Sequence, residues 1–180
     1  MTITIVFDLD DTLYCERDYV RSGIRSVDMW VQWRLGVHGF GMTATRLWNE
    51  GRRAMLFDAT LAELGVAVDP ATIASMVAVY RDHVPHIQLA SDARAFLTRD
   101  HGFALALVTD GFGTAQRRKV AALGLSRYAF DPIIYTDDWG SAFWKPHRRA
   151  FDAIEAAYGG RSNRFVYVGD NPAKDSVAPR

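Results

Sequence analysis

The chain of 180 residues has one cysteine, Cys15, so an internal disulfide is excluded. An excess of one charge is also missing. The 21 Lys and Arg equal the 21 Asp and Glu, so no global field recruits nucleic acid or an anionic membrane. No apolar run approaches the ~20 residues of a membrane span. The N-terminus lacks the basic flank and long apolar stretch of a signal peptide. Repeats and low-complexity segments are absent too. These absences leave an ordinary globule, expected in the cytoplasm, whose function must come from a local site.

What the sequence does have is a regular alternation of apolar strands and helical stretches. "ITIVFDLD" (3–10) is a β-branched run ending in acids, and Ile3 to Phe7 reads as a buried strand. "FALALVTD" (103–110), "IIYTDD" (133–138) and "RFVYVGDN" (164–171) read as three more. Between them, Ser91 is placed to cap a short helix, "TAQRRKVAALG" (114–124) ends on a C-terminal glycine, and "KPHRRAFDAIEAAYGG" (145–160) puts proline in its first turn. Strand alternating with helix predicts a parallel α/β sheet. The segment from 15 to 85 differs. Val20, Ile24, Val27 and Val31 recur at helical spacing, as do Leu47, Ala54, Leu61 and Leu64, then Ile73, Val77, Tyr80 and Val84. Its breaks are expected at "GVHGFGM" (36–42) and "GVAVDP" (65–70). The expected division is a core of 1–14 with 86–180 and a helical insert at 15–85.

In parallel α/β sheets, ligands bind beyond the carboxyl ends of the strands. All four predicted strands end in polar residues: Asp8, Thr109 with Asp110, Asp137 with Asp138, and Asp170. Two carboxylates ~4 Å apart repel by about 4 kcal/mol at an effective dielectric of ~20. Something must therefore compensate Asp8 and Asp10, which lean the same way while the backbone stays extended. Carboxylates converging from two strand ends form an all-oxygen nest suited to Mg²⁺, and the cation lets a phosphate approach a carboxylate.

On these residues the chain resembles the haloacid dehalogenase-like hydrolases. "FDLDDTL" resembles their first motif, D-x-D-x-T. "LALVTDG" resembles the second, Lys145 before Pro146 the third, and "YVGDNPAKD" the fourth, in the family's order. The resemblance implies a three-layer Rossmann-like core with an inserted α-helical cap, and a phosphatase-type member acting on a small phosphorylated metabolite. Asp8 would be the nucleophile that forms an aspartyl-phosphate, and Asp10 the general acid and base. Asp8, the Asp10 carbonyl and Asp170 would hold Mg²⁺. Thr109 would bind the phosphoryl group beside Asp110 and Gly111, Lys145 would balance charge, and Asp175 would orient Lys145 or a metal-bound water. An aspartate at position 10 favours phosphate esters over halides. A phosphosugar mutase, or a binding module without turnover, remains the alternative. The family usually continues with a further helix and strand, missing beyond Arg180 here, so the fourth strand is expected to be an apolar exposed edge open to self-association.

Other features have plainer readings. Asp11 is expected as a turn or capping acid. "GFGTAQ" (111–116) imitates a dinucleotide loop but has Gln116 at its third glycine position. Trp30, Trp33 and Trp48 are expected in helix packing, Arg17, Arg21, Arg25, Arg52 and Arg53 on a solvated face, and Cys15 as a small packing residue. Asp137 and Asp138 are expected to shape the loop above the third strand.

Overall fold

The computed structural model describes residues 2–158 and 162–175. Four parallel strands form one sheet: β1 (Thr2–Phe7), β2 (Ala104–Thr109), β3 (Phe130–Tyr135) and β4 (Ser162–Val168), in the order β3-β2-β1-β4. The chain moves outward from β1 to β3, then returns to lay β4 on the far side of β1. The crevice left by that reversal lies between the carboxyl ends of β1 and β4. Register there is explicit. Phe7 pairs with Val168, and the Asp8 N–H donates to the Val168 carbonyl at 2.8 Å. Asp8 and Asp170 therefore leave neighbouring strands almost side by side.

Both faces of the sheet are covered, which explains why the strands read as continuous apolar runs. On one face Val6, Ala106, Val108 and Ile134 meet Ala150 and Ile154 of α7 (Arg149–Tyr158). On the other, Phe7 sits 5.7 Å from Phe96 of α5 (Ser91–Leu97), ring centre to ring centre. Helix α6 (Gly113–Ala122) follows β2, and a short α8 (Pro172–Asp175) follows β4. The expected α/β sheet is thus observed.

The chain divides into two compact units, Met1–Glu16 with Ile87–Arg180 and, separately, Arg17–His86. The second is helical: α1 (Glu16–Leu35), α2 (Phe40–Asn49), α3 (Leu56–Glu63) and α4 (Pro70–Asp82). Val20, Ile24, Val27 and Val31 of α1 are all buried with Phe40, Phe57, Leu61 and Met76. Asp69 caps α4 by accepting the Thr72 N–H at 2.6 Å, with Pro70 in the first turn. Among the described residues, no helix is long and apolar enough to cross a membrane.

Several local expectations are corrected. The spacing that joined Leu47 to Leu64 is interrupted: Gly51 at φ +95° and Met55 at φ +49° end α2 and start α3, leaving Ala54 exposed. The third strand runs three residues earlier than expected, and Thr136–Trp139 form a 3₁₀ turn because Asp137 accepts the Gly113 N–H instead of continuing the ladder. Pro146 precedes α7 rather than starting it, Ala90 rather than Ser91 stands at the α5 cap, and β4 ends at Val168. The expected glycine stop at 159–160 lies outside the described residues. Cys15 is exposed, not packed. Trp33 is 80% exposed, while Trp30 and Trp48 do pack on the helical core.

Within the helical unit, Gly23 decides how closely α1 and α4 approach. A Cβ there would stand 2.4 Å from the Tyr80 ring, which is itself held edge-on against Tyr19 and Phe57. Alanine normally favours a helix interior over glycine by about 1 kcal/mol. Overpacking a fixed core costs about 1–3 kcal/mol. The steric cost wins, so Gly23→Ala is expected to lower the thermal midpoint. An unchanged or raised midpoint contradicts this packing.

Candidate active site

Strand β1 stops at Phe7, and Asp8 begins a turn that also contains Asp10 and Asp11. The extended backbone that would make Asp8 and Asp10 point alike does not continue. The two carboxylates find different partners instead. Asp11, at φ +50°, accepts the Glu16 N–H at 2.8 Å and closes the turn before α1, as a capping acid should.

Asp8 is buried and binds Lys145, whose Nζ donates to its Oδ1 at 2.7 Å. The same ammonium reaches Asp175 Oδ1 at 2.9 Å and the Tyr167 hydroxyl at 2.8 Å. Three donors thus meet three acceptors, which satisfies a buried lysine fully. The Tyr167 hydroxyl in turn donates to Asp175 Oδ1 at 3.0 Å, and Asp175 Oδ2 accepts the Asn171 N–H at 3.0 Å. Gly169 makes this closeness possible, since a Cβ there would stand 2.4 Å from Asp175 Oδ2. Asp110 anchors the lysine from behind: its carboxylate accepts the Lys145 backbone N–H at 3.1 Å and the Thr136 hydroxyl at 2.7 Å. Gly111 turns the chain at φ +109°, in the region that favours glycine.

The electrostatics follow from burial and these pairings. Desolvation pushes the Asp8 carboxyl up to about 6 despite the pull of Lys145. Burial alone would lower Lys145, but Asp8 and Asp175 more than offset it and its ammonium is held above the ordinary range. Burial also opposes ionisation of Asp175, yet Lys145 and the Asn171 N–H keep its carboxyl below the usual value. Tyr167 is raised, by burial first and then by the Asp8 and Asp175 charges, so its hydroxyl stays protonated.

Oxygens of Asp8, Asp170 and Asp175 all lie within 4.8 Å of one another. An all-carboxylate, all-oxygen set of this size fits a hard cation such as Mg²⁺. Asp175 already accepts from Lys145, Tyr167 and Asn171, so Asp8 and the exposed Asp170 are better placed to face an ion. Thr109 is buried at the end of β2, and its Oγ1 has no hydrogen-bond partner among the described residues. The Thr12 hydroxyl is likewise unpartnered. Buried hydroxyls are seldom left so, and that of Thr109, at the carboxyl end of β2, suits the oxygens of a bound anion.

The sequence-predicted residues divide accordingly. Asp8, Lys145, Asp170 and Asp175 come together, and Asp110 supports them. The Asp10 side chain belongs to another cluster: Lys119 Nζ donates to its Oδ1 at 2.7 Å, Gln116 Nε2 to its Oδ2 at 2.8 Å, and the Tyr14 hydroxyl to Oδ1 as well. Sequence reading missed Tyr167, Tyr14, Gln116 and Lys119. Its signal for Gln116 was the unfilled glycine position; the other three looked like ordinary strand, turn and helix residues.

A parallel sheet with acids and a lysine gathered at its carboxyl edge is the architecture of an α/β protein. The chain belongs to the haloacid dehalogenase-like hydrolases, whose family pattern matches residues 4–178. It is similar to a phosphoserine phosphatase of Thermus thermophilus, 31% identical over 137 residues that make up 75% of this chain and 53% of that one. The chain thus spans about half the length of that relative. It is also similar to a glyceraldehyde 3-phosphate phosphatase of Methanopyrus kandleri, at 26% identity over 97% of this chain and 78% of the other. Among solved structures, the magnesium-bound HAD-hydrolase YfnB of Bacillus subtilis superposes with a TM-score of 0.60 at 20% identity, covering 97% of this chain and 82% of that one. A 2-haloacid dehalogenase of Pseudomonas syringae gives 0.59 at 23% identity, covering 97% and 80%. At such identities the structural likenesses speak for the fold alone.

The raised Asp8 carboxyl has a measurable consequence in chelator-treated protein. Between 3.8 and about 6 the folded state keeps a proton that the unfolded chain has lost. Stability therefore falls as pH rises through that window, by up to about 3 kcal/mol. The depressed Asp175 carboxyl acts in the opposite sense, but below the window. Denaturant unfolding from pH 3.5 to 7 is expected to show the fall in wild type and a flatter profile in Asp8→Asn; parallel profiles would contradict it.

Proposed function

We propose that the chain is a Mg²⁺-dependent phosphatase that removes phosphate from a small phosphomonoester through an aspartyl-phosphate on Asp8. One observation carries this: a buried carboxylate shares a lysine with Asp175 and lies within ion-binding reach of Asp170. A carboxylate with no reactive duty would gain nothing from a site that resists its ionisation. The curated relatives, phosphatases of phosphoserine and of glyceraldehyde 3-phosphate, support phosphoryl chemistry.

In this reading Asp8 attacks phosphorus, and Lys145 and the Thr109 hydroxyl bind phosphoryl oxygens. Asp10 protonates the leaving oxygen and later takes a proton from the attacking water. Asp8, the Asp10 carbonyl and Asp170 hold Mg²⁺, which when bound neutralises charge between the carboxylate and the phosphate. Asp175 and Tyr167 orient Lys145. Asp110 and Gly111 shape the loop that ends β2. Most of the work is positioning and charge compensation, as phosphoryl transfer requires. Residues 15–85 act as a cap that selects the substrate.

The test is phosphate release from a panel of phosphomonoesters that includes phosphoserine and glyceraldehyde 3-phosphate. Turnover is expected with Mg²⁺, loss on chelation, and recovery when Mg²⁺ is restored. Asp8→Asn should remove activity by at least about 10³-fold, since it deletes the nucleophile. Inertness of the folded wild-type chain across the panel with Mg²⁺ present overturns the proposal.

We further propose self-association along β4. Among the described residues the strand is paired on one side, and Phe165, Val166 and Val168 are 38%, 44% and 38% exposed. Sedimentation is expected to show concentration-dependent dimers that a Val166→Lys change weakens. A monomer at all concentrations rules this out.

A further inference from the structure

Two residues of α6 that the chemistry above leaves idle converge on Asp10. Lys119 is 5% exposed and Gln116 3%. They lie one helical turn apart, so their side chains share a face of α6. Each binds a different oxygen of the Asp10 carboxylate, Lys119 at 2.7 Å and Gln116 at 2.8 Å. Burying an ammonium costs several kcal/mol before pairing. A solvated lysine would have served the helix equally well without that cost.

The geometry of the grip is informative. One donor would leave a carboxylate free to turn about its Cβ–Cγ bond, whereas donors on both oxygens fix its plane. The grip is itself held in place. The Gly113 N–H at the start of α6 donates to Asp137 at 2.9 Å, and Arg117 pairs with Asp138 at 2.7 Å. Gln116 Nε2 also donates to the Asp110 carbonyl, beside the carboxylate that anchors Lys145. Helix α6 therefore ties the Asp10 cluster to the β2 and β3 strand ends.

We propose that Lys119 and Gln116 are positioning residues that hold the Asp10 carboxyl in line for proton transfer. The inference rests on the phosphatase reading. In the first half-reaction the Asp10 proton goes to the ester oxygen as the P–O bond breaks and its electron pair stays on that oxygen. In the second, Asp10 takes a proton from water as the water oxygen bonds to phosphorus and the Asp8 carboxylate leaves with its electrons.

Aryl phosphates separate this role from a structural one. p-Nitrophenolate leaves well without a proton, whereas phenolate leaves far better with one. We would measure kcat/KM, which reports P–O cleavage, for p-nitrophenyl phosphate and phenyl phosphate with saturating Mg²⁺. General acid catalysis contributes about 10²–10⁴-fold. Lys119→Met and Gln116→Leu are accordingly expected to lower the phenyl phosphate value about tenfold or more beyond any loss on p-nitrophenyl phosphate. Lys119→Arg should recover much of the wild-type ratio, and Asp10→Asn should show the largest change. Should Lys119→Met fail to fold, Gln116→Leu, which removes no charge, supplies the same comparison. An unchanged ratio in folded variants of an active enzyme overturns the positioning role alone. A folded wild-type chain that cleaves neither these esters nor any member of the phosphomonoester panel overturns the phosphatase reading and this inference with it.

Discussion

A single buried ammonium organises the carboxyl edge of this sheet. Lys145 donates to Asp8 from β1's end, to Asp175 on α8 and to Tyr167 on β4. Without it, two carboxylates would face one another in a poorly solvated crevice, where like charges are hardest to sustain. With it, Asp8, Asp175 and Tyr167 each have a partner, and the desolvation of the ions is offset by short charge-assisted bonds. Because those partners belong to three elements, the lysine also fixes how the chain returns after β4. Asp110 extends the constraint by binding the Lys145 backbone and the Thr136 hydroxyl, linking the β2 and β3 ends to the same point.

A second lysine performs the equivalent service for Asp10. The two aspartates of the first motif, two residues apart in sequence, are each bound by a lysine more than a hundred residues away, at separations of 137 and 109. Their environments consequently differ. Asp8 is buried and pushed toward neutrality, while Asp10 is only partly buried and carries hydrogen bonds on both oxygens. Distinct surroundings for neighbouring carboxyl groups are the physical means by which one fold assigns them distinct duties.

The sheet was legible because its signals are local. β-Branched runs, acids at their ends and glycines after helices report backbone preferences over a few residues. The misreadings were local as well. Leu47, Ala54 and Leu61 kept helical spacing through a real break at Gly51–Met55, since periodicity carries no information about a left-handed backbone. Asp137 and Asp138 looked like the end of a strand, but Asp137 turns to the α6 N-terminus and Asp138 to Arg117, contacts that no short window reveals. Gln116 stood out only as a residue spoiling a glycine pattern, although its amide reaches both Asp10 and the Asp110 carbonyl.

By itself the sequence determined which segments become strands, which carry acids at their ends, and that a helical stretch interrupts the first and second of them, because these follow from side-chain periodicity and backbone propensity. The tertiary structure decided which of those acids come together and which lysine binds Asp8 and which Asp10. That choice depends on the order β3-β2-β1-β4 and on the pairing of Phe7 with Val168. Attraction between charges acts over a few ångströms of space, and only the closed sheet brings residues so distant along the chain within that reach.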